Sequence, residues 1–327
     1  MVIEHACAHA RPKPWGVDDL RPWSNTRHDG GAIGEIWYER PTEAASSLLL
    51  KLLFTSQPLS IQVHPDDAFA HEMGLLHGKT EAWYVLSAAP GAKVALGLDR
   101  RLTPQQLREA VEDGSISDLV RWQTVAPDDI VSIPAGTIHA IGAGLVIAEI
   151  QQRSDVTFRL FDHGRQRELH VGQAVAVADA GPFDLRALAS RISDARTLLV
   201  ANAHFVFERL DFAANSAWCL EAERETWLLA VSGGARVGSF DIAAGDAIFV
   251  QADRTEIHPG AAGLVGLVAY TGVGPAANLL QDLRAPPSTN AGWRQKVQET
   301  MQEPVQVPVS LAPAKATPTG ARLETTK

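Results

Sequence analysis

The chain has 327 residues, with 29 lysines and arginines against 38 aspartates and glutamates, a net charge of −9. This length allows one large or two ordinary domains. The acidic balance argues against nucleic-acid and anionic-membrane partners, since both need a basic surface. With only two cysteines, no apolar run near the roughly 20 residues that span a bilayer, and no hydrophobic signal core at the N-terminus, the chain is expected to be cytosolic.

Two short runs rich in branched apolar residues, SSLLLKLLF and LSIQV, predict the first buried strands. Gln62 and His64 are two residues apart, so an extended strand points an amide oxygen and an imidazole nitrogen to the same side. The residues that follow, 66–77, predict a short helix with Asp66 or Asp67 as its N-cap.

Two strand patterns come next, EAWYVLS and AKVALGL, and the Ala-Ala-Pro-Gly between them favours an antiparallel hairpin. The first begins with Glu81, which can supply a carboxylate. Lys79 lies two residues earlier, so on one strand both side chains would project to the same side. An ammonium held beside a divalent cation is costly unless an anion also binds there. A solvated lysine is the alternative.

A helical insertion is predicted over 102–122. Thr103 can cap it, Pro104 suits the first helical position, and Gln106 completes a capping box. Gly114 separates two short helices. Such an insertion can wall or cover the mouth of a barrel, and plain scaffolding is the alternative.

A second group of donors follows the turn Pro134-Ala-Gly136, where His139 offers another imidazole. Two imidazoles, one carboxylate and one amide oxygen form a donor set suited to a first-row divalent ion. The alternative is that each histidine is a satisfied structural residue and that the His-Pro turn needs its imidazole only for hydrogen bonding.

Two further candidates lie in the strands VIAEIQQ and VTFRLFD. Burial raises the pKa of an unpaired carboxyl, so Glu149 can serve as a general base near neutral pH; an ion pair with Arg153 or Arg159 is the alternative. Arg159 faces away from Phe158 and so can point into a barrel mouth. A solvated arginine on an outer face is the alternative there.

Several long motifs now occur together and in order. The strings QVHPDD, GKTEAWYVL, PAGTIHAIGAG and EIQQRSDVTFRLFDHGR resemble the short bacterial type I mannose-6-phosphate isomerases, members of the cupin superfamily. Pro134-x-Gly136-x-x-His139 is similar to the second conserved cupin motif. The resemblance extends from about Trp15 to Arg165 and, more weakly, to about Gly272.

The resemblance implies a set of site residues and one zinc ion per chain, with another first-row divalent metal as the alternative. The implied metal ligands are Gln62, His64, Glu81 and His139. The implied catalytic residues are Lys79, Glu149 and Arg159, of which Lys79 and Arg159 would also bind the substrate.

The second half repeats the strand rhythm in the runs WLLAVSG, ARVGSF, DAIFVQA and LVGLVAYTG, but the metal motif is missing and His258 stands alone. We therefore predict a mainly β protein of two cupin-type antiparallel β-barrels (jelly-roll) with a small helical insertion. The metal-binding catalytic barrel spans 1–170 and a degenerate second barrel spans 171–283. The segment 284–327, rich in Pro, Thr, Ala and Gln, is predicted to be a flexible tail.

The function implied by the resemblance is the reversible conversion of D-mannose 6-phosphate to D-fructose 6-phosphate by proton transfer through an enediol. The alternatives are another metal-dependent cupin enzyme, such as a different sugar-phosphate isomerase or an oxygenase, and a non-catalytic sugar-phosphate-binding cupin. The expected partner is a small sugar phosphate, and nothing in the sequence indicates a homo-oligomer. The general base and the ring-opening group are not fixed by these motifs.

Overall fold

The computed structural model describes residues 2–24, 31–42, 44–183 and 189–285. Antiparallel strands dominate these ranges. From residue 286 onward, the predicted flexible tail lies outside the described residues. Within those four ranges, no helix is both long and apolar enough to cross a membrane.

Twelve strands precede residue 170. They are β1 Val2–His5, β2 Cys7–Val17, β3 Ile33–Glu39, β4 Leu48–Thr55, β5 Ile61–Val63, β6 Glu81–Ala88, β7 Lys93–Leu98, β8 Val120–Thr124, β9 Ile130–Ile133, β10 His139–Ile141, β11 Leu145–Gln152 and β12 Phe158–Phe161. Six form one sheet in the order β2-β3-β4-β11-β6-β9, and five form another in the order β12-β5-β10-β7-β8. The first strand, β1, instead pairs with a strand of the second half.

Nine strands follow residue 189. They are β13 Ser190–Arg191, β14 Arg196–Ala201, β15 Phe205–Phe212, β16 Trp218–Ala222, β17 Thr226–Val237, β18 Phe240–Ala243, β19 Ala247–Gln251, β20 Asp253–Thr271 and β21 Leu280–Asp282. With β1 they form one ten-stranded antiparallel sheet, in which β17 and β20 are the central pair.

Four short helices complete the described elements. They are α1 Asp67–Glu72, α2 Pro104–Glu112, α3 Ile116–Leu119 and α4 Val171–Val177. Thr103 caps α2 in a full capping box with Gln106, as the sequence predicts, and Asp66 caps α1. The last three helices pack against the outer face of the five-stranded sheet, around residues such as Ile61 and Leu160.

The strand alternation decides where the apolar side chains go. In β4, Leu50 and Leu52 face the second half of the chain and share a core with its Phe207 and Trp227. Leu53, from the opposite face, packs between the two sheets of the first half. The six-stranded sheet is therefore buried on both faces, which explains why the run LLLKLLF in β4 is apolar except for Lys51.

Two local predictions are wrong. The runs at β6 and β7 do not form a hairpin, because β6 pairs with β9 and β11 in one sheet and β7 pairs with β8 and β10 in the other. Their short connection is the corner at which the chain crosses between sheets. The helical insertion ends at Leu119, and Val120–Thr124 forms β8.

Candidate active site

The predicted metal ligands converge at one end of the gap between the two sheets. His139 lies directly opposite Gln62 in the β10–β5 pair, and His64 follows the end of β5. Glu81 is the first residue of β6 in the facing sheet. His64 Nε2 is 3.5 Å from Glu81 Oε2, and His139 Nε2 is 3.3 Å from Glu81 Oε1. Ligands of a tetrahedral zinc ion lie about 3.3–3.6 Å from one another, so this spacing suits one small cation.

Both imidazole rings are oriented as metal ligands require. Nδ1 of His64 is 2.9 Å from the carbonyl oxygen of Val156, and Nδ1 of His139 is 2.9 Å from that of Thr137. A carbonyl only accepts, so each Nδ1 carries the proton and each Nε2 presents a lone pair to Glu81. Burial lowers the pKa of His139 to about 4 and that of His64 well below 6.5, which keeps both rings neutral.

The Glu81 carboxylate, between these two rings, is fully buried but lacks regular hydrogen bonds within the described part of the chain. Glu81 is 0% exposed, yet neither of its oxygens receives a hydrogen bond of regular geometry from any residue in the described ranges. Nζ of Lys79 is 2.9 Å from Oε2 and forms a close ion pair with this carboxylate. A buried carboxylate without hydrogen bonds is costly, so these oxygens fit a bound cation.

Gln62, the fourth predicted ligand, lies beside these three residues. Its amide Nε2 lies 3.2 Å from Nε2 of His139. Because amide nitrogen and oxygen are assigned from their surroundings, turning the amide over directs its oxygen to the same point. The four residues together offer two imidazole nitrogens, carboxylate oxygens and one amide oxygen, a set that suits a first-row divalent ion such as zinc.

Lys79 lies close to this group but, contrary to the sequence prediction, it is not on the same strand as Glu81. The strand begins only at Glu81, and the N–H of Lys79 donates to the carbonyl of Pro65. Its Nζ nonetheless reaches 2.9 Å from both His64 Nε2 and Glu81 Oε2. Burial opposes the charge of Lys79, but Glu81 and Glu149 outweigh burial and raise its pKa above 10.5. A buried ammonium therefore borders the candidate metal position.

Glu149 lies in the middle of β11, as the sequence predicts, but its partners differ from those expected. Lys51 of β4 places Nζ 3.3 Å from Oε1, and the indole Nε1 of Trp83 donates to Oε2 at 3.0 Å. Lys51 also donates to the side chain of Gln151. Neither Arg153 nor Arg159 pairs with Glu149: Arg153 bonds Ser46 instead. The carboxylate is thus fixed between two strands.

Arg159 lies on β12 and borders a cavity of about 210 Å³. The same cavity is bordered by Gln62, Lys79 and Glu149, so it connects the candidate metal position with the three predicted catalytic residues. Its wall also includes Arg167, which forms an ion pair with Asp162. The cavity wall therefore combines three cationic groups, Lys79, Arg159 and Arg167, with three carboxylates, Glu35, Glu149 and Asp155.

The seven residues named from the sequence lie at the candidate metal position or border the cavity. Lys51 and Trp83 were not among them. Lys51 carried a usable signal, because it is the one charged residue in the run LLLKLLF. Trp83 carried none, since an aromatic residue in an apolar strand is the ordinary case.

Fold and site together define a mainly β, cupin-type protein with a candidate centre for one divalent metal. No protein-family model matches the chain. Among characterised sequences, it is similar to the mannose-6-phosphate isomerase ManA of Bacillus subtilis, with 38% identity over 165 residues, 48% of this chain and 49% of that protein. The mannose-6-phosphate isomerase of Streptococcus mutans is 41% identical over 140 residues, 41% of this chain and 44% of that protein. The chain spans about half the length of the curated relatives that it matches.

Solved structures extend the likeness over most of the chain. The mannose 6-phosphate isomerase of Bacillus subtilis superposes with a TM-score of 0.72 and 23% identity, covering 83% of this chain and 100% of the other. A phosphomannose isomerase from Salmonella typhimurium gives a TM-score of 0.65 with 14% identity, covering 82% and 99%. The predicted fold class is confirmed, and so is the resemblance to type I mannose-6-phosphate isomerases.

Proposed function

We propose that this chain is a metal-dependent aldose–ketose isomerase that interconverts D-mannose 6-phosphate and D-fructose 6-phosphate. The observation that carries the proposal is the buried Glu81, whose oxygens face two imidazole lone pairs at the edge of a cavity shared with Lys79, Glu149 and Arg159. The names of the relatives supply the substrate.

In this proposal Gln62, His64, Glu81 and His139 hold one zinc ion. When bound, the ion supplies positive charge next to the two sugar oxygens that exchange their carbonyl and hydroxyl roles. Zinc suits the task because aldose–ketose isomerisation involves no external electron donor or acceptor and zinc is redox-inert.

Glu149 is the proposed base. The reaction removes the proton from C2 and delivers one to C1, while the hydroxyl proton moves from O2 to O1. Hydrogen bonding to Trp83 and the ion pair with Lys51 fix the carboxylate at the cavity wall, so it can carry the proton between neighbouring carbons without large movement.

Lys79 and Arg159 are the proposed partners of the negative charges. The sugar phosphate brings one anionic group, and the enediolate formed during proton transfer brings a second. Two cations bordering one cavity can neutralise both charges. A phosphorylated substrate also offsets the cost of placing Lys79 beside a divalent ion.

The wider setting follows from the same proposal. A small sugar phosphate would be the only ligand needed besides the metal, and a cytosolic location agrees with the free thiols of Cys7 and Cys219. The division into a catalytic barrel at 1–170 and a second barrel at 171–283 belongs to this proposal as well, except that β1 joins the sheet of the second half.

A coupled assay that follows fructose 6-phosphate formation from mannose 6-phosphate tests the function. The purified chain should lose activity after treatment with a chelator and regain it with added zinc. Recovery with iron(II) but not zinc, accompanied by oxygen consumption, would support an oxygenase. Saturable binding of mannose 6-phosphate without turnover would support a binding module instead.

A further inference from the structure

Arg159 forms hydrogen bonds with the segment 168–170, which lies outside the site motifs. Its backbone N–H donates to Nδ1 of His170 at 3.1 Å, and the N–H of His170 donates to the carbonyl of Arg159 at 2.8 Å. The guanidinium donates through one terminal nitrogen to the carbonyl of Glu168 at 2.8 Å. Three hydrogen bonds therefore join Arg159 to Glu168 and His170.

These contacts occupy the outer edge of β12. Across its inner edge, Arg159 pairs with Gln62 of β5. With both edges occupied, the backbone of Arg159 is fixed, and its side chain borders the cavity. Its Nε is buried and has no hydrogen-bond partner anywhere in the part of the chain that the structure describes. The guanidinium thus keeps donor capacity for a ligand.

We propose that His170 is a positioning residue for Arg159, which holds the arginine at the cavity only while its imidazole is neutral. This inference rests on the proposed function, in which Arg159 binds the sugar phosphate or the enediolate. It assigns a role to a residue that touches neither the cavity nor the candidate metal ligands.

The hydrogen-bond chemistry explains the requirement for a neutral ring. The Arg159 N–H can only donate, so Nδ1 of His170 must be unprotonated and the proton must lie on Nε2. Protonation places an N–H against an N–H and adds a positive charge close to the guanidinium. The contact then becomes repulsive, and the 168–170 segment is expected to release Arg159.

The charges around His170 set the pH at which this release occurs. Two charged groups face the ring, the guanidinium of Arg159 and the carboxylate of Glu168. The adjoining elements α4 and β5 contain no titratable residue. The helix α2 also packs against α4, but none of its charged residues, Arg108, Glu109 and Glu112, is among the groups that shift the pKa of His170. Burial and then Arg159 lower the pKa of His170 below 6.5, against a smaller opposing effect of Glu168. The anchor is therefore present at neutral pH and is lost as the pH falls through this lowered pKa.

Three substitutions test the anchor in the full-length zinc-loaded protein. His170→Asn places an amide oxygen near the position of Nδ1 and cannot be protonated in this range, whereas His170→Gln places its amide near Nε2, and His170→Ala has no acceptor. We expect His170→Gln and His170→Ala to lower kcat/KM about tenfold at neutral pH, the worth of one such hydrogen bond. His170→Asn should keep near-wild-type activity and extend it to lower pH. All three should retain normal zinc content.

Either of two results overturns the proposal: His170→Asn with the same acid-side decline as the wild type, or His170→Ala with unchanged kcat/KM. The hydrogen bond itself is read without any activity assay by ¹⁵N NMR of labelled histidine. The His170 resonance, assigned by its loss in His170→Asn, should report an unprotonated Nδ1 at pH 7. A proton on Nδ1 would refute the role of His170. A wild-type protein with an unprotonated Nδ1 and a proton on Nε2, but no isomerase activity, would refute only the proposed function.

Discussion

The two halves of this chain both bury charge inside antiparallel sheets, but they leave it in opposite states. In the second half, Arg196 forms two hydrogen bonds of 2.8 Å to Glu208, and Tyr270 donates to the same carboxylate. The Tyr270 hydroxyl also accepts from the N–H of Ala276. This network is closed, since each side chain meets a partner within the sheet.

The first half contains a larger buried polar network, around Glu81 and Glu149, in which some carboxylate oxygens have no regular hydrogen bond among the residues that the structure describes. We call this the open network and that of Glu208 the closed network. Both oxygens of Glu81 and one oxygen of Glu149 lack regular hydrogen bonds within the described ranges. The same chain supplies hydrogen bonds to both oxygens of the buried Glu208 carboxylate. Comparable donors to Glu81 would therefore be expected if Glu81 had only a structural role. This contrast is expected if the second network stabilises the fold and the first binds a ligand, as proposed.

The largest effect should follow from removing an imidazole of the first half. His139→Ala, or His64→Ala, should abolish zinc binding and lower kcat/KM at least about a thousandfold, because several kcal/mol of charge stabilisation are lost with the metal. Elemental analysis and the coupled isomerase assay measure the two effects. His258→Ala, in the exposed His258–Glu256 pair of the second half, is the matched control and should change neither. Full zinc occupancy in His139→Ala would remove that residue from the ligand set.

The converse is expected for the closed network. Glu208→Gln removes the charge that faces Arg196, which is 5% exposed, and should lower the free energy of unfolding by about 3–5 kcal/mol. Zinc content and kcat per folded molecule should stay unchanged. Chemical denaturation followed by tryptophan fluorescence measures the stability.

The exposed Glu256→Gln is the control for that loss, since its partner His258 is solvent-accessible, and its effect should stay within about 0.5 kcal/mol. Loss of zinc in Glu208→Gln would show that the metal site of the first half depends on the Glu208 network of the second half.

A smaller effect, confined to turnover, is expected at Arg159. Arg159→Ala should retain zinc and lower kcat/KM about ten- to a hundredfold, since a charged hydrogen bond contributes about 1.5–3 kcal/mol. Arg153→Ala is the matched control: Arg153 lies outside the cavity wall, bonded to Ser46. Normal kinetics in a zinc-replete Arg159→Ala protein would contradict the role proposed for this arginine.

Much of the site could be predicted because its signals are local. Gln62 and His64 share a strand pattern, Glu81 opens an apolar run, and His139 follows a Pro-x-Gly turn. Each of these positions depends on a few neighbouring residues. That they meet at one point followed from the family resemblance rather than from the spacing.

What sequence reasoning missed depends on strand register. Lys51, Glu149 and Trp83 lie in one row across β4, β11 and β6, since Glu149 is directly opposite both Lys51 and Trp83. No local pattern fixes which residues of three distant strands face one another. The false hairpin has the same origin, because a turn signal alone cannot distinguish a hairpin from a crossing between sheets.

The smallest effect should come from shortening the chain. Every residue of the open and closed networks lies between Lys51 and Ala276, and Leu280–Asp282 is the last described strand, paired with β16. A protein that ends at Ala285 keeps all of these contacts, so its zinc content and kcat/KM should match those of the full chain within twofold. Loss of soluble expression in this truncation would instead assign residues 286–327 a part in stabilising the fold. Normal solubility with lost activity would assign them a part in the site, and the contrast between the two halves would then be incomplete.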